Sequence, residues 1–274
     1  MRKLLIAVLA LTGVVAAAGG VAIAANTYTV DVATTTSVAK GSPAKPVPMG
    51  FKFGYTVAET DPTKRGTVIE KYQIAPEGLV ANPKYFPKCA FSDLNKQTGT
   101  PARCNNAIVG SGLVKNAAGP SNNQALASSL PCNLRLRLYN TGKGLAIRLD
   151  SDGKPPPPSF DSDVIGCPLP VGTAIDARFK RTTVGGKPTS DLVFTVPQNL
   201  KHPALGVDNS VRTTLSTVKK LSKTATINGK RRKVGFYEAV GCKGNTRTTR
   251  VLFTTEATAT QAAQKFTATK TGRC

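Results

Sequence analysis

The residues with the most suggestive chemistry in this 274-residue chain are basic. Asn228-Gly229 is a dipeptide preferred in two-residue hairpin turns, so we expect a hairpin here. Seven cations flank the turn with no acidic residue among them: Lys219, Lys220, Lys223, Lys230, Arg231, Arg232 and Lys233. Clustered cations bind phosphate and sulfate polymers because binding releases the counterions that are condensed on the polymer. The hairpin is therefore a candidate site for an anionic polymer, and the alternative is a solvated hairpin whose charge keeps an edge strand soluble.

The wider charge distribution points to the same half of the chain. Lys and Arg number 37 against 15 Asp and Glu, for a formal net charge of +22. Residues 175–274 contain 19 of these cations and 5 of the anions, a net charge of +14. Hydrophobic residues make up 40% of the chain, which indicates a folded protein and excludes a disordered polycation.

Candidate catalytic groups are few. His202 is the sole imidazole, it lies in an evident loop, and no nucleophile signature accompanies it. Glu238 is the acid best placed to be held by a strand, yet the chain has no Trp that would form a sugar platform. We expect a surface role for His202 and a cross-strand ion pair for Glu238. No catalytic residue and no cofactor is assigned.

Metal binding has two candidate donor sets. Asp150, Asp152, Asp161 and Asp163 offer carboxylates to a hard cation such as calcium, but the other ligands of an EF-hand loop are missing. Asp, Ser and Gly are also ordinary turn residues. The cysteines lack both C-x2-C spacing and a His partner. The sequence therefore assigns no metal site.

The N-terminus has the pattern of an export signal. Arg2 and Lys3 precede an uncharged apolar stretch, Leu4–Ala25, which contains the small-residue triplet Ala22-Ile23-Ala24. We expect residues 1–24 to be a signal peptide; the alternative is an uncleaved helical anchor, since the stretch is long enough to span a bilayer. In either case the protein is expected to be secreted or extracellular, with cell-surface association as an option. Membrane contact is expected only through an uncleaved segment.

The six cysteines all follow this segment, and an even number in an oxidising compartment favours three disulfides. Six cysteines allow 15 connectivities. We predict sequential pairing because each consecutive pair of cysteines flanks a short stretch whose sequence is typical of a hairpin or loop. The predicted pairs are Cys89 with Cys104, Cys132 with Cys167, and Cys242 with Cys274.

The chain after the signal reads as strands. Leu134, Leu136 and Leu138 alternate with polar residues, and a Gly-rich turn leads to a second alternation in Leu145–Leu149, which predicts a hairpin. Other strands are predicted at Tyr28–Val32, Phe51–Val57, Val68–Ile74, Ile108–Val114, Val164–Val171, Ile175–Phe179, Leu192–Val196, Val211–Lys220, Val234–Val240, Thr248–Thr254 and Lys265–Thr269. One short helix is expected at Phe91–Lys96.

This pattern predicts an all-β fold, an antiparallel β-sandwich or jelly-roll. The expected domain covers residues 25–274. The alternative is two subdomains with a boundary near residue 185, at Gly185-Gly186.

Three pairs of segments are similar to stretches of uncharacterised exported β-rich proteins of actinobacteria. They are Pro87–Cys89 with Cys104–Gly112, Phe194–Pro197 with His202-Pro203, and Gly235–Glu238 with Gly241-Cys242. The resemblance implies secretion and a shared disulfide-containing β fold. It implies no activity and no catalytic residue.

Together these features predict an exported, non-catalytic protein of the cell envelope or extracellular space that binds an anionic envelope polymer or polysaccharide through its basic hairpin. Nucleic acid is not expected as a partner because the protein is exported. One alternative is an extracellular hydrolase or lyase acting on acidic polysaccharide, with Glu238, a Tyr or His202 transferring protons. Another is a carrier of lipid or a small ligand, with an apolar cavity that no sequence pattern would reveal. The sequence leaves the oligomeric state open.

Overall fold

The computed structural model describes residues 26–34, 40–96, 99–242, 244–257 and 262–274, and for 26–34 only the backbone is described. The predicted signal peptide, residues 1–24, lies outside this range. Within the range the named strands pair antiparallel and the helices are short, so the predicted all-β class is confirmed.

The described residues form sixteen strands and two short helices. The strands are β1 (Asn26–Thr34), β2 (Val47–Met49), β3 (Phe51–Glu59), β4 (Ile69–Pro76), β5 (Leu79–Ala81), β6 (Ile108–Pro120), β7 (Leu130–Asn140), β8 (Gly144–Asp150), β9 (Gly172–Val184), β10 (Lys187–Thr195), β11 (Val207–Val218), β12 (Ser222–Ile227), β13 (Lys230–Gly235), β14 (Tyr237–Ala239), β15 (Thr246–Thr255) and β16 (Lys265–Arg273). The helices are α1 (Phe91–Leu94) and α2 (Gln198–Lys201), and three short 3-10 helices occur at Pro83–Tyr85, Ala102–Ala107 and Leu126–Ser128.

Eleven strands make one sheet in the order β1-β3-β11-β6-β7-β8-β9-β10-β4-β15-β16. The sheet curls until its first and last strands lie side by side. Opposite parts of the same sheet therefore face each other across the core, which gives the sandwich-like packing that the strand pattern predicts. Inward-facing aromatic and aliphatic side chains fill most of this interior.

The two ends of the curled sheet are covered differently. A three-stranded sheet, β2-β14-β5, contributes Met49, Leu79 and Tyr237 to the core at the end where β4 finishes and β15 begins. Leu200 of α2 joins the same core, and the α2 segment contacts Glu256, which follows β15 at the other end. The interior is thus bounded by a small sheet at one end and by a short helix at the other.

The hairpin predicted from the leucine alternation is confirmed as β7 and β8, with Leu136 opposite Leu149 and Leu138 opposite Ile147. The strand predicted at Val164–Val171 is wrong. Only Gly166 in that range forms a bridge, to Asn133. Pro168 and Pro170 have no backbone N–H to donate to a ladder, and the segment is instead a loop held beside β7.

A second, smaller core lies on the outer side of the sheet. The α1 helix, in the region predicted to be helical, buries Leu94 against Tyr139 and Ala146 of the β7–β8 hairpin. Arg148 of β8 is also buried here, and its Nη1 donates to the Leu94 carbonyl at 2.9 Å. The outward positions of this hairpin are therefore covered too.

The three disulfides have the predicted sequential pairing: Cys89 with Cys104, Cys132 with Cys167, and Cys242 with Cys274. The first closes the segment that contains α1, and the second fastens the loop after β8 to β7. The third joins the residue after β16 to the segment after β14. Gly185 and Gly186, at the alternative domain boundary, form the turn between β9 and β10 within the large sheet.

Candidate functional site

The basic segment folds as the predicted hairpin. Strands β12 and β13 pair only with each other in the described sheets, from Ser222 opposite Gly235 to Ile227 opposite Lys230. Asn228 and Gly229 join them with φ of +51° and +75°. Both turn residues thus have the positive φ that a type I′ turn requires, and Asn and Gly tolerate it best. Gly235, at the base, packs closely on Pro48 of β2.

Six of the seven predicted cations are exposed. They are Lys219, Lys220, Lys223, Lys230, Arg231 and Lys233. Lys219 and Lys220 lie at the base, directly after β11, and the Lys219 amide donates to the Val109 carbonyl at 2.9 Å. The structure thus places four of these exposed cations on the hairpin and two at its base.

The cations do not share one face of the hairpin. Because side chains alternate along a strand, Arg231 and Lys233 lie on one face and Lys230 and Arg232 on the other. Lys223, opposite Val234, belongs to the second face. Positive charge therefore lies on both faces of the hairpin and, at Lys230, next to its turn.

Arg232 is the exception among the seven. Its Nη1 donates to Glu238 Oε1 at 2.9 Å and its Nη2 to Oε2 at 3.3 Å. The Glu238 side chain is only 3% exposed and also accepts from Asn82 Nδ2 and from the Gly235 amide, each at 3.0 Å. Glu238 therefore has the ion-pair role expected for it, and Arg232 fastens the hairpin to β14.

His202 follows α2 and lies between two carboxylates. Its Nδ1 is 3.0 Å from Asp208 Oδ1, and its Nε2 is 2.6 Å from Glu256 Oε2. Lys201 donates to the other oxygen of Glu256. Burial acts to raise the pKa of Glu256, but the hydrogen bonds from Lys201 and His202 outweigh it and lower that pKa. With both ring nitrogens committed to carboxylates, His202 has neither one free to activate a hydroxyl group.

Three of the four candidate calcium ligands lie beside cations. Asp152 pairs with Arg135, while Asp163 Oδ1 lies 2.6 Å from the Nζ of Lys115. Asp150 Oδ2 is 3.8 Å from Arg137 Nη1. Burial, together with the neighbouring Asp152 carboxyl, raises the pKa of Asp150 to about 6. In the described part of the chain these four side chains do not gather their oxygens into one group.

Arg247, for which the sequence predicts no functional role, lies inside the curled sheet. Its side chain is buried, its Nε donates to the Glu77 carbonyl at 2.8 Å, and burial lowers its pKa, an effect that the Glu77 carboxylate opposes. The signal was present, because Arg247 is in phase with Val251 and Phe253, the inward residues of β15. An arginine at an inward position of an alternating strand indicates a buried charge.

The fold and disulfides define the class: an all-β protein stabilised by disulfides, which indicates an oxidising, extracellular type of environment. Over the described ranges, no helix is both long and apolar enough to cross a membrane. Comparisons with protein-family models, with curated proteins and with solved structures gave no match.

Proposed function

We propose that the chain is an exported, non-catalytic binding protein that attaches to an anionic polymer of the cell envelope or extracellular space through the β12–β13 hairpin. Export is supported by the signal-like segment at residues 1–24 and by the disulfides that an oxidising compartment sustains. Whether the protein stays at the cell surface would depend on what the hairpin binds.

The observation that carries the proposal is the hairpin's position and composition. It forms a separate two-stranded sheet with exposed cations on both faces. Residues 219–235 contain no acidic residue, and the nearest buried acid, Glu238, is occupied by Arg232. The remaining six cations are available to a ligand.

The shape of this hairpin suits a flexible polymer better than a flat surface. Cations two residues apart on one strand are about 7 Å apart and lie on the same face. A chain of sulfate or phosphate groups can therefore contact one face, pass over the Asn228-Gly229 tip, and contact the other. Each contact releases counterions, so binding should weaken steeply with salt.

The alternative of a hydrolase or lyase on acidic polysaccharide has less support. Glu238 is enclosed by four hydrogen-bond donors on the small sheet, whereas His202 lies beside α2 at the other end of the core. In such enzymes the side chains that transfer protons must all reach the same bound substrate. These two residues are not convergent.

The test is retention on heparin and on a poly(glycerol phosphate) matrix across a salt gradient. The variant is K230S/R231S/K233S, which keeps Arg232 and hence the ion pair to Glu238. The matched control is K143S/K180S/R181S, which removes two Lys and one Arg from exposed positions elsewhere on the molecule.

We expect the hairpin variant to elute at clearly lower salt than the control, with a weaker dependence of log affinity on log salt. Equal elution of the two variants would mean that only total charge matters, and the proposal would be rejected. Retention of the wild type on nucleic acid but on neither polymer would also contradict it.

A further inference from the structure

The interior of the curled sheet contains an apolar cavity of about 140 Å³. Its walls are mostly aliphatic and aromatic, with Phe53, Leu136, Ile147, Ile175, Leu192 and Phe194 among them. A closed sheet of eight strands has an interior that side chains fill or that holds one small ligand, and a sheet with more strands encloses more space. The size of this sheet therefore explains why its side chains leave a cavity.

The two ends of the cavity differ in polarity. Leu200, Lys201 and Asn209 line it on the α2 side, and Lys201 is already engaged by Glu256. Met49, Tyr237 and Arg247 line it on the side of the small sheet. Two cations line the cavity, Lys201 and Arg247. Among the described residues, Lys201 has a carboxylate within ion-pair distance and Arg247 has none.

Arg247 is an unusual wall residue because it is charged and only 6% exposed. Its Nε is satisfied by the Glu77 carbonyl, and among the described residues its Nη1 has only the sulfur of Met49, at 3.6 Å. Its Nη2 is buried and has no hydrogen-bond partner within the described ranges. The Glu77 carboxylate offsets part of the Arg247 charge but accepts no hydrogen bond from its guanidinium among the described contacts: Oε2 accepts from the Thr248 amide, and Oε1 is buried without a partner. A buried guanidinium that lacks acceptors is unfavourable unless something else supplies them.

We infer that the cavity binds a small amphipathic monocarboxylic acid, with its apolar body between the walls and its carboxylate on Arg247. The planar fork of a guanidinium matches a carboxylate in geometry. Because the buried Glu77 carboxylate already offsets part of the Arg247 charge, a singly charged ligand adds less uncompensated negative charge than a doubly charged phosphate would. At the opposite end the Asn209 Oδ1 is an unpartnered acceptor among the described groups, which would repel a carboxylate. The ligand thus has a single favourable orientation.

The cavity volume sets the size of the ligand. An engineered apolar cavity of about 150 Å³ in another protein admits benzene. A body of roughly six carbon atoms therefore fits without rearrangement. Hexanoate is the first probe. Binding of longer acids, up to decanoate, then measures the chain length at which the cavity wall prevents binding.

The experiment compares head groups at constant tail by calorimetry and ligand-observed NMR: hexanoate, 1-hexanol and hexylammonium with the wild-type protein. We expect hexanoate to bind at least about tenfold more tightly than 1-hexanol, and hexylammonium not to bind. Equal binding of acid and alcohol would reject the role of Arg247. If none of the three compounds bound at millimolar concentration, the proposal of a ligand site in this cavity would be rejected.

Variants then locate the contact. R247M keeps the length of the side chain and removes the charge, and we expect it to lose hexanoate while keeping 1-hexanol. The control R250M removes an exposed arginine of the same strand and should bind hexanoate as the wild type does. The hairpin variant K230S/R231S/K233S should also bind it normally, which separates this site from the polymer site. Should R247M not fold, the head-group comparison in the wild type still decides.

Discussion

Arg232 and Glu238 form a bidentate ion pair that joins the exposed hairpin to a buried strand. The two N–O distances are 2.9 and 3.3 Å, and the exposed fractions of the side chains are 35% for Arg232 and 3% for Glu238. The arginine thus lies within the basic hairpin but has a structural task. A substitution that removes all four cations of Lys230–Lys233 would weaken the fold and the polymer site together.

We predict that R232M destabilises the protein by about 1–3 kcal/mol, because it leaves the buried Glu238 carboxylate with two of its four donors. R231M, at an exposed neighbouring position, should change the free energy of unfolding by less than about 0.5 kcal/mol. Urea unfolding of both variants is the measurement. The double variant R232M/E238Q should be less destabilised than the two single changes added together. Equal effects of R232M and R231M would disprove the structural role.

The local signals in the sequence predicted most of the fold. Alternating leucines with a Gly-rich turn specified the β7–β8 hairpin, and Asn228-Gly229 specified the basic hairpin, because both depend on neighbouring residues. The pairing of β4 with β15 joins residues far apart in sequence, and no local pattern encodes which strands meet. The cavity could not be predicted for the same reason, since its volume depends on how many strands the sheet contains before it curls. The disulfide pairing was predicted because each pair closes a short loop.

Loss of the Cys242–Cys274 disulfide should reduce stability by about 4 kcal/mol, since it closes a separation of 32 residues. The Cys132–Cys167 disulfide closes 35 residues, so the chain-entropy argument predicts a nearly equal loss. The variants C242S/C274S and C132S/C167S test this by guanidinium unfolding. A difference larger than about 1 kcal/mol between them would show that native contacts, and not loop closure alone, determine the effect.

The Glu256 cluster should make the α2 end of the core sensitive to acid. Hydrogen bonds from Lys201 and His202 lower the pKa of Glu256 against the opposing effect of burial. A carboxyl whose pKa is lower in the folded state stabilises the protein above its unfolded pKa, and this contribution is lost as pH falls through the folded value. We therefore predict that E256Q is less stable than the wild type by about 2 kcal/mol at pH 7, because Lys201 is left buried.

This difference should shrink as the pH is lowered from 7 to well below 4.5, the ordinary pKa of a glutamate, because Glu256 then becomes protonated in the wild type as well. The control is E70Q, whose ion pair with Lys71 is at the surface and should contribute less than about 1 kcal/mol. Thermal or urea unfolding across this pH range is the measurement. A difference between wild type and E256Q that does not change with pH would contradict the assignment.

Asp150 should have the opposite pH dependence. Burial and the adjacent Asp152 carboxyl raise its pKa from 3.8 to about 6 in the folded protein. The folded state therefore binds this proton more tightly, and the associated stability is present below about pH 4 and lost as pH rises through 6. At pH 8 the ionised carboxylate opposes folding by as much as about 3 kcal/mol, since each unit of pKa shift corresponds to about 1.4 kcal/mol.

D150N imitates the protonated side chain, so we predict that it is more stable than the wild type at pH 8 and that this advantage disappears near pH 4. The control is D161N, an exposed position that should show no such trend. Urea unfolding at pH 4, 6 and 8 measures all three proteins. If D150N gave a constant difference at the three pH values, the carboxyl would titrate alike in the folded and unfolded states. Its neighbour Asp152, paired with Arg135, would then have no influence on it.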